Sequence, residues 1–582
     1  MQLSFPHLSP FPELIQRAQR DPSKIVLRDH STGKTATAGK LLQSVSLIRA
    51  DIQAALGGND TECAQKDIND RFIFLLAPPG LEYVAAMLAI ISLGAGMSAQ
   101  CEFPQLQLSL KEVLYSFNSA LVIRPEEMAR FIKIAKPLAL LYTSDLTEKV
   151  NAIESISTEM ESASEPMIPF LEIRIDHTVY PTSHHYVMKQ NIGSASDLIG
   201  TLFFTSGTSG SPKGVIHSYI AILASARERI ESWSLTEHDM VLCQKPGNWM
   251  GGIFGILPSL IAGACLETCA AVFDSKWFWE RIRQGGLSIF SIAPEGYDRF
   301  AEYYDENIAT LPAEQKESYI AGITAVKVAG ATGSRLLPQT QHRWTELRRG
   351  KPLLNLYGST EATLICGMNW KNPDYLDMCS VGPPVPGVEV KIVGGEMRLK
   401  APTMFSRYLS DDPTQTEKAF DSEGFFRTGD CAEELGGCYI LHGRANIDVM
   451  HFWGFTLHTS EIESALTSLP YIADAIVLPI DDEECQQRAA AIIRLQPSCE
   501  SNFPQLKELR NDLTQSTGLM QFKQPTVVYW LRESEEISLT ANGKVSKKMT
   551  KSKLFVNGWQ SEKNVEVLDL KEMEYWRMGG QC

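Results

Sequence analysis

The chain is 582 residues long, with 44% hydrophobic and 21% charged residues, which fits a globular enzyme of more than one domain with a substantial core. Its formal charge of −15 argues against a nucleic-acid-binding surface, although a local basic site can still take an anionic substrate. The 12 Cys residues show no paired ligand spacing, which argues against zinc and fits free thiols in a reducing, cytoplasmic setting.

Met1–Pro6 has neither a basic region nor a continuous apolar core, so no secretory leader is expected. Arg71–Ala77 reads as a buried strand, Pro78-Pro79-Gly80 breaks it, and a helix starts near Leu81. Tyr83–Ala99 is apolar but holds Gly94 and Gly96, and it is short of the ~20 residues a membrane span needs. A buried helix packed on a sheet is expected there, and no membrane span. Leu121–Ile123 and Leu138–Tyr142 read as further strands between helical stretches, which implies a partly parallel α/β sheet. Residues 150–195 lack clear periodicity and are expected to form a variable connection, with His184-His185 a solvated pair.

An apolar strand, Leu198–Phe204, leads into Thr205-Ser206-Gly207-Thr208-Ser209-Gly210-Ser211-Pro212-Lys213-Gly214. Almost nothing in that loop is apolar, so it cannot build a core. It can wrap an anion: Gly lets backbone N–H groups converge, hydroxyls add donors, and Lys supplies a charge. The P-loop pattern is different, because it needs Gly-Lys-[Ser/Thr] opening a helix.

Ile220–Ile230 reads as helix. Asp239–Ala271 is apolar and Gly-rich, with Asn248-Trp249-Met250-Gly251-Gly252 near its head, so Trp249 serves either core packing or a pocket wall. Cys265 and Cys269 could share a helix face. Leu287–Ile292, Ala325–Ala329 and Leu353–Tyr357 read as strands; the last two end in Gly330-Ala331-Thr332-Gly333 and Gly358-Ser359-Thr360-Glu361. Strand ends with small and polar residues are where α/β folds place ligands. The last third changes character. Gly424–Asp430 reads as a turn with an acid at its tip, followed by a strand, Cys438–Arg444, and a small α+β unit. Thr540–Lys548 lies near the end of that unit.

Together these segments resemble the adenylate-forming superfamily of acyl-CoA synthetases, peptide-synthetase adenylation domains and luciferases. Thr205–Gly214 is similar to its phosphate loop and Tyr357–Glu361 to its Tyr-Gly-x-Thr-Glu motif. Thr428-Gly429-Asp430, Gly443-Arg444 and Asn542-Gly543-Lys544 match three more, in the family's order, from about residue 20 to about residue 550. The resemblance implies an α/β fold: a large N-terminal AMP-binding domain of mixed sheets with helices, residues 1–443, and a small mobile α+β lid, residues 444–582.

It also implies a two-step reaction. A carboxylate attacks the α-phosphate of ATP to give acyl-AMP, and a thiol, usually that of coenzyme A, then displaces AMP. By resemblance Lys544 bridges carboxylate and α-phosphate, Thr205, Ser206, Gly207, Thr208, Ser209 and Gly210 hold the β- and γ-phosphates with Lys213, and Glu361 holds Mg²⁺. Thr360 bonds the α-phosphate. Tyr357 stacks on adenine with Gly358 beside it in the nucleotide site, Gly330, Ala331 and Thr332 line the adenine slot, and Asp430 with Arg444 close by takes the ribose. Trp249 and Gly251 face the acid. Asn446 is the expected hinge, and Gly454 marks the face used for thioester formation.

Gly443–Glu463 resembles the malonyl-CoA synthetase branch in spacing. That branch carries a His before the Gly of the segment matching Asn248–Gly252 and an Arg before the adenine motif. Here Asn248-Trp249-Met250 and Ala325 stand there, with Lys327 the nearest cation, and His451 replaces a Lys. A second carboxylate needs a charge partner when buried, so a monocarboxylic, largely apolar acid is expected. The acceptor is CoA or a carrier protein. A non-catalytic nucleotide-binding homologue is the reading from another class, and Lys544, Glu361 and Asp430 argue against it.

Overall fold

The computed structural model describes residues 2–57, 68–100, 123–160, 168–175, 185–189, 192, 194–196, 198–205, 213–245, 247–269, 274–371, 380–410, 412, 414–445, 447–453, 455–496, 499, 503–532, 535–539, 545–556 and 559–573. The chain separates into two compact units. One comprises Met1–Asp377, Val381–Glu389 and Lys400–Asp421; the other comprises Met378–Ser380, Val390–Leu399 and Ser422–Cys582. The strand Cys438–Arg444 straddles the 443/444 division of the sequence reading and packs within the second unit.

The first unit is built on two large sheets. One runs Arg407–Leu409, Lys213–Ser218, Ile199–Thr205, Gly96–Gln100, Phe72–Leu76, Ala139–Tyr142, Phe170–Glu172. The other runs Thr363–Gly367, Leu354–Ser359, Val328–Thr332, Ile289–Ile292, Met240–Cys243, Cys265–Thr268, Ile25–Asp29, Thr35–Thr37, and its central pairs are parallel. The helices Leu81–Leu93 and Met250–Ala262 share one apolar core with residues of both sheets, such as Ile73, Leu75, Leu27 and Leu266. Such a position buries a helix on nearly every side, which is why neither helix has a polar stripe. The outer face of the second sheet is aromatic: Phe278, Trp279, Phe290, Tyr297, Phe300 and Trp344. Both indole N–H groups there are satisfied, Trp279 donating to the Phe300 carbonyl and Trp344 to that of Tyr297.

The second unit holds an antiparallel sheet of Glu389–Val393, Glu396–Lys400, Phe426–Leu435 and Cys438–Arg444. It also holds a larger sheet centred on Gln486–Leu495, which pairs Ile472–Asp482 and Val527–Trp530. The architecture is the mixed α/β fold with a small α+β C-terminal part expected from the sequence.

Local details differ. The apolar stretch Tyr83–Ala99 is not one helix: Gly94 ends the helix with φ +78°, and a strand begins at Gly96. Cys265 lies in a strand that ends before Cys269, so the two share no helix face. Ala325 ends a helix and the strand starts at Val328. Residues 150–195 include the helix Thr147–Met160 and the strand His185–Lys189, which pairs in parallel with Gln2–Pro6. Asp430 lies inside the strand Phe426–Leu435 rather than at a turn tip; the Gly and the paired acids of that strand hid its half-exposed alternation. Leu121 and Val122 lie outside the described residues.

Candidate active site

The loop flagged as an anion cradle is closed by an antiparallel pair. Thr205 and Lys213 are cross-strand partners, and the Thr205 hydroxyl donates to the Lys213 carbonyl at 3.3 Å. The strand pairing thus brings the two ends of a seven-residue excursion together. Ser206, Gly207, Thr208, Ser209 and Gly210, within it, lie outside the described residues. The Lys213 ammonium sits 5.5 Å from the centroid of the Tyr408 ring.

The Tyr357–Glu361 motif ends the strand Leu354–Ser359 and turns back into Thr363–Gly367. Gly358 is required at this bend: a Cβ there would stand 2.1 Å from the Thr363 carbonyl oxygen. Three successive carbonyls then anchor the turn. That of Thr360 accepts from His217 Nε2 at 2.7 Å, that of Glu361 from the Phe405 N–H at 2.7 Å, and that of Ala362 from the Thr403 hydroxyl at 2.7 Å. The Tyr408 hydroxyl donates to Glu361 Oε1 at 3.0 Å. Lys213, Tyr408 and Glu361 therefore form one cluster beside the hairpin that Thr205 and Lys213 close. Its pairing explains why: Arg407–Leu409 adds to the sheet next to Lys213–Ser218, with Tyr408 opposite Val215.

His217 is fully buried, and burial pulls its pKa down to about 4, against the opposing effect of its bond to the Thr360 carbonyl. It is a neutral donor that fixes the Thr360 backbone. Neither His217 nor Tyr408 belongs to a segment singled out from sequence. Their signal was positional only, since His217 follows the loop on a strand and Tyr408 lies in a stretch without a motif.

Gly330, Ala331 and Thr332 form the end of Val328–Thr332, paired to Leu354, Asn355 and Leu356 of the neighbouring strand. The buried Tyr297 hydroxyl donates to the Gly330 carbonyl at 3.0 Å. Trp249 is the N-cap residue of the helix Met250–Ala262 and is partly exposed, so it is not a full core residue, and Gly251 is the helix's second residue. Lys327, the nearest cation before Gly330-Ala331-Thr332 in sequence, pairs with Asp239 at 3.1 Å and donates to the Ser234 carbonyl.

In the second unit, Asp430 and Arg444 are cross-strand partners, with Arg444 Nε 3.1 Å from Asp430 Oδ1. Thr428 Oγ1 accepts from the Asp430 N–H and donates to the Met397 carbonyl. Below them, the Arg444 N–H donates to Asp448 Oδ2 at 2.8 Å, and Asp448 Oδ1 lies 2.5 Å from Lys547 Nζ. Lys547 also meets Glu463 at 2.7 Å. Asn446, Gly454 and Lys544 lie outside the described residues.

Glu361 offers a hard oxygen donor beside a cation and a phenol. That donor set suits a divalent ion completed by phosphate and water, since Mg²⁺ needs few protein ligands. Among the described residues no group of three or more His, Cys, Asp or Glu is placed to hold a metal, and no helix is long and apolar enough to cross a membrane.

These features define a nucleotide-using, adenylate-forming type of enzyme. The AMP-binding enzyme family model matches residues 16–404, and that of the AMP-binding enzyme C-terminal domain matches residues 461–544. The chain belongs to the AMP-binding enzyme family. It is 28% identical to an acyl-CoA ligase, oryP, of Aspergillus oryzae over 97% of this chain and 96% of that one. It is 26% identical to a malonate–CoA ligase of Arabidopsis thaliana over 90% and 85%. The ATP-bound MatB structure from Rhodopseudomonas palustris shares the fold, with TM-score 0.71 at 18% identity over 93% of this chain and 98% of that one.

Proposed function

We infer that the chain activates a carboxylic acid with ATP, through acyl-AMP, and passes the acyl group to coenzyme A, as an AMP-forming acid–thiol ligase. The observation that carries this is the clamp on Thr360–Ala362. Bonds to three successive backbone carbonyls tie the Thr-Glu turn to His217 on the strand after the glycine-rich loop and to Thr403 and Phe405, and Tyr408 joins Glu361 to the ring beside Lys213, so a triphosphate on the loop would meet Glu361 and Lys213 together. Full-length similarity to CoA ligases supports the same reading.

In this reading Thr205, Lys213 and the loop 206–210 hold the β- and γ-phosphates, and Thr360 orients the α-phosphate. Glu361 would hold Mg²⁺, which screens the polyphosphate when bound. Tyr357, Gly358, Gly330, Ala331 and Thr332 receive adenine, and Asp430 accepts from the ribose hydroxyls with Arg444 holding its carboxylate in place. Lys544 stabilises the charge that builds between carboxylate and α-phosphate. Residues 444–582 act as the lid, turning about Asn446 so that Lys544 serves the first step and the Gly454 face the second.

Pyrophosphate release over a panel of acids, followed by mass analysis of the CoA thioester, tests the reading. Lys544→Ala is expected to abolish acyl-AMP formation and to spare thioester formation from supplied acyl-AMP. Equal loss of both half-reactions would refute that role, and a purified chain that never converts ATP to AMP would refute the whole reading.

A further inference from the structure

The turn that carries Thr360 and Glu361 contains a backbone outlier. Thr363 has φ +66°, in the left-handed region that residues with a branched Cβ avoid most strongly. The described non-glycine residues with positive φ are Lys136, Ser234, Arg349, Thr363, Trp453 and Gln486. Among them Thr363 alone is β-branched, and it alone is buried, at 3% exposure. A left-handed position in a short hairpin loop ordinarily goes to Gly or Asn. The Thr363 hydroxyl has no hydrogen-bond partner among the described residues, so no side-chain bond holds the strain. The surroundings hold it instead. Thr363 pairs with Ser359 across the turn, and the register slips between Tyr357 and Gly358, which leaves Ile365 as an extra residue on the returning strand. Between the paired residues, the carbonyls of Thr360, Glu361 and Ala362 are each bonded to the scaffold. Strained backbone persists only where its surroundings over-determine it, and it gathers at sites that must be preorganised.

We propose that Thr363 is a positioning residue for nucleotide binding: its buried, branched side chain fixes the turn Thr360–Ala362 in the conformation that keeps three carbonyls in the scaffold and leaves the Thr360 and Glu361 side chains for ATP and its metal. This rests on the ligase reading above, which gives those two side chains the α-phosphate and Mg²⁺. A branched Cβ restricts χ1 and leaves the side chain few ways to sit in a closed interior. Once it is packed, the backbone at 363 cannot rotate without expelling it. Gly at this position would adopt the left-handed backbone without strain, but it would admit other conformations too. The turn would then have to be ordered when the nucleotide arrives, and that ordering weakens binding. The Oγ1 atom has no part in this. The branch at Cβ is what matters.

The test separates the branch from the hydroxyl. Thr363→Val keeps the branch, Thr363→Ser keeps the hydroxyl, and Thr363→Gly keeps neither. Three measurements are made on each: the dissociation constant of ATP with Mg²⁺ by titration calorimetry without acid, KM and kcat in pyrophosphate exchange, and the melting temperature. Thr363→Gly is expected to bind ATP about 5-fold more weakly, with the loss in KM rather than kcat. Its melting temperature should stay near that of the wild type, because relieved strain offsets lost packing. Thr363→Ser should lie between Gly and wild type, and Thr363→Val should keep most of the affinity. Three results overturn the proposal and leave the ligase reading intact: a Gly variant with wild-type affinity, a Val variant that binds more weakly than Ser, or an affinity that falls only in step with the melting temperature. If Thr363→Val does not fold, the Gly and Ser variants decide by the same measurements. A wild-type protein that neither binds ATP nor exchanges pyrophosphate with any acid removes the ligase reading and the proposal with it.

Discussion

The Tyr408 hydroxyl donates to Glu361 Oε1 across 3.0 Å, while the same ring carries the Lys213 ammonium at 5.5 Å. One phenol thus positions the proposed metal-binding carboxylate and the phosphate-loop cation. A hydrogen bond to a charged group is worth about 1.5–3 kcal/mol, and an exposed cation–π contact about 0.5–1 kcal/mol. Tyr408→Phe removes the first and keeps the second. Its kcat/KM for ATP in pyrophosphate exchange should fall about 10-fold, which corresponds to the low end of that range. Tyr408→Leu should fall further, because both contacts go. A Phe variant equal to wild type would show that Glu361 is oriented without the phenol.

His217 links the site to pH. Its folded pKa is about 4, below its ordinary 6.5, because burial disfavours the cation. Between those values the unfolded chain binds more protons than the native one, so stability rises with pH. The contribution is complete above pH 6.5 and is lost as pH falls toward 4. The full swing is about 3 kcal/mol at 1.36 kcal/mol per pKa unit. His217→Gln keeps an N–H donor for the Thr360 carbonyl and cannot titrate. Denaturant unfolding at a series of pH values should show a shallower loss of stability for this variant across that window. Parallel curves would place the acid sensitivity elsewhere.

The strands Leu198–Phe204 and Cys438–Arg444 and the bend at Gly358 were legible in outline because their residue types answer to local demands: an apolar run for a buried strand and a glycine where the chain turns back. The residues that hold them were not. Tyr408 lies 47 residues from Glu361 in sequence, and His217 lies 143 from Thr360, so only sheet pairing brings them together. The strand Phe426–Leu435 was mistaken for a turn because its glycine and acids sit on a half-exposed sheet, where alternation is weak.

Gly358 and Gly330 look equivalent in the sequence, and the structure separates them. A methyl group at Gly358 meets a backbone carbonyl at 2.1 Å, which cannot yield without shifting the strand that leads to Glu361. At Gly330 it meets Leu356 Cδ1 at 2.8 Å and Ser291 Oγ at 3.0 Å, both side-chain atoms with some freedom. Gly358→Ala is therefore expected to abolish detectable pyrophosphate exchange. Gly330→Ala should retain activity with a raised KM for ATP. The reverse order would mean that Tyr357–Glu361 does not carry the nucleotide.

Lys547 sits three residues past Lys544 and ties its segment to the carboxylates of Asp448 and Glu463, 2.5 and 2.7 Å away. Burial opposes the ammonium, but the two carboxylates outweigh it, so the Lys547 pKa rises. Burial also raises the pKa of Glu463, with Lys547 opposing. Removing one member of such a group leaves a charge uncompensated, at a cost of about 3–5 kcal/mol when fully buried. These side chains keep 15–23% exposure, so the low end applies. Lys547→Met should lose about 3 kcal/mol of unfolding free energy at neutral pH. Adding Glu463→Gln should restore part of that loss, because one of the two stranded carboxylates is gone. Simple additivity of the two losses would show that the pair is not coupled. Lys547→Met should also slow acyl-AMP formation more than thioester formation from supplied acyl-AMP, since the segment it anchors carries Lys544. An equal effect on both steps would make the anchor purely structural.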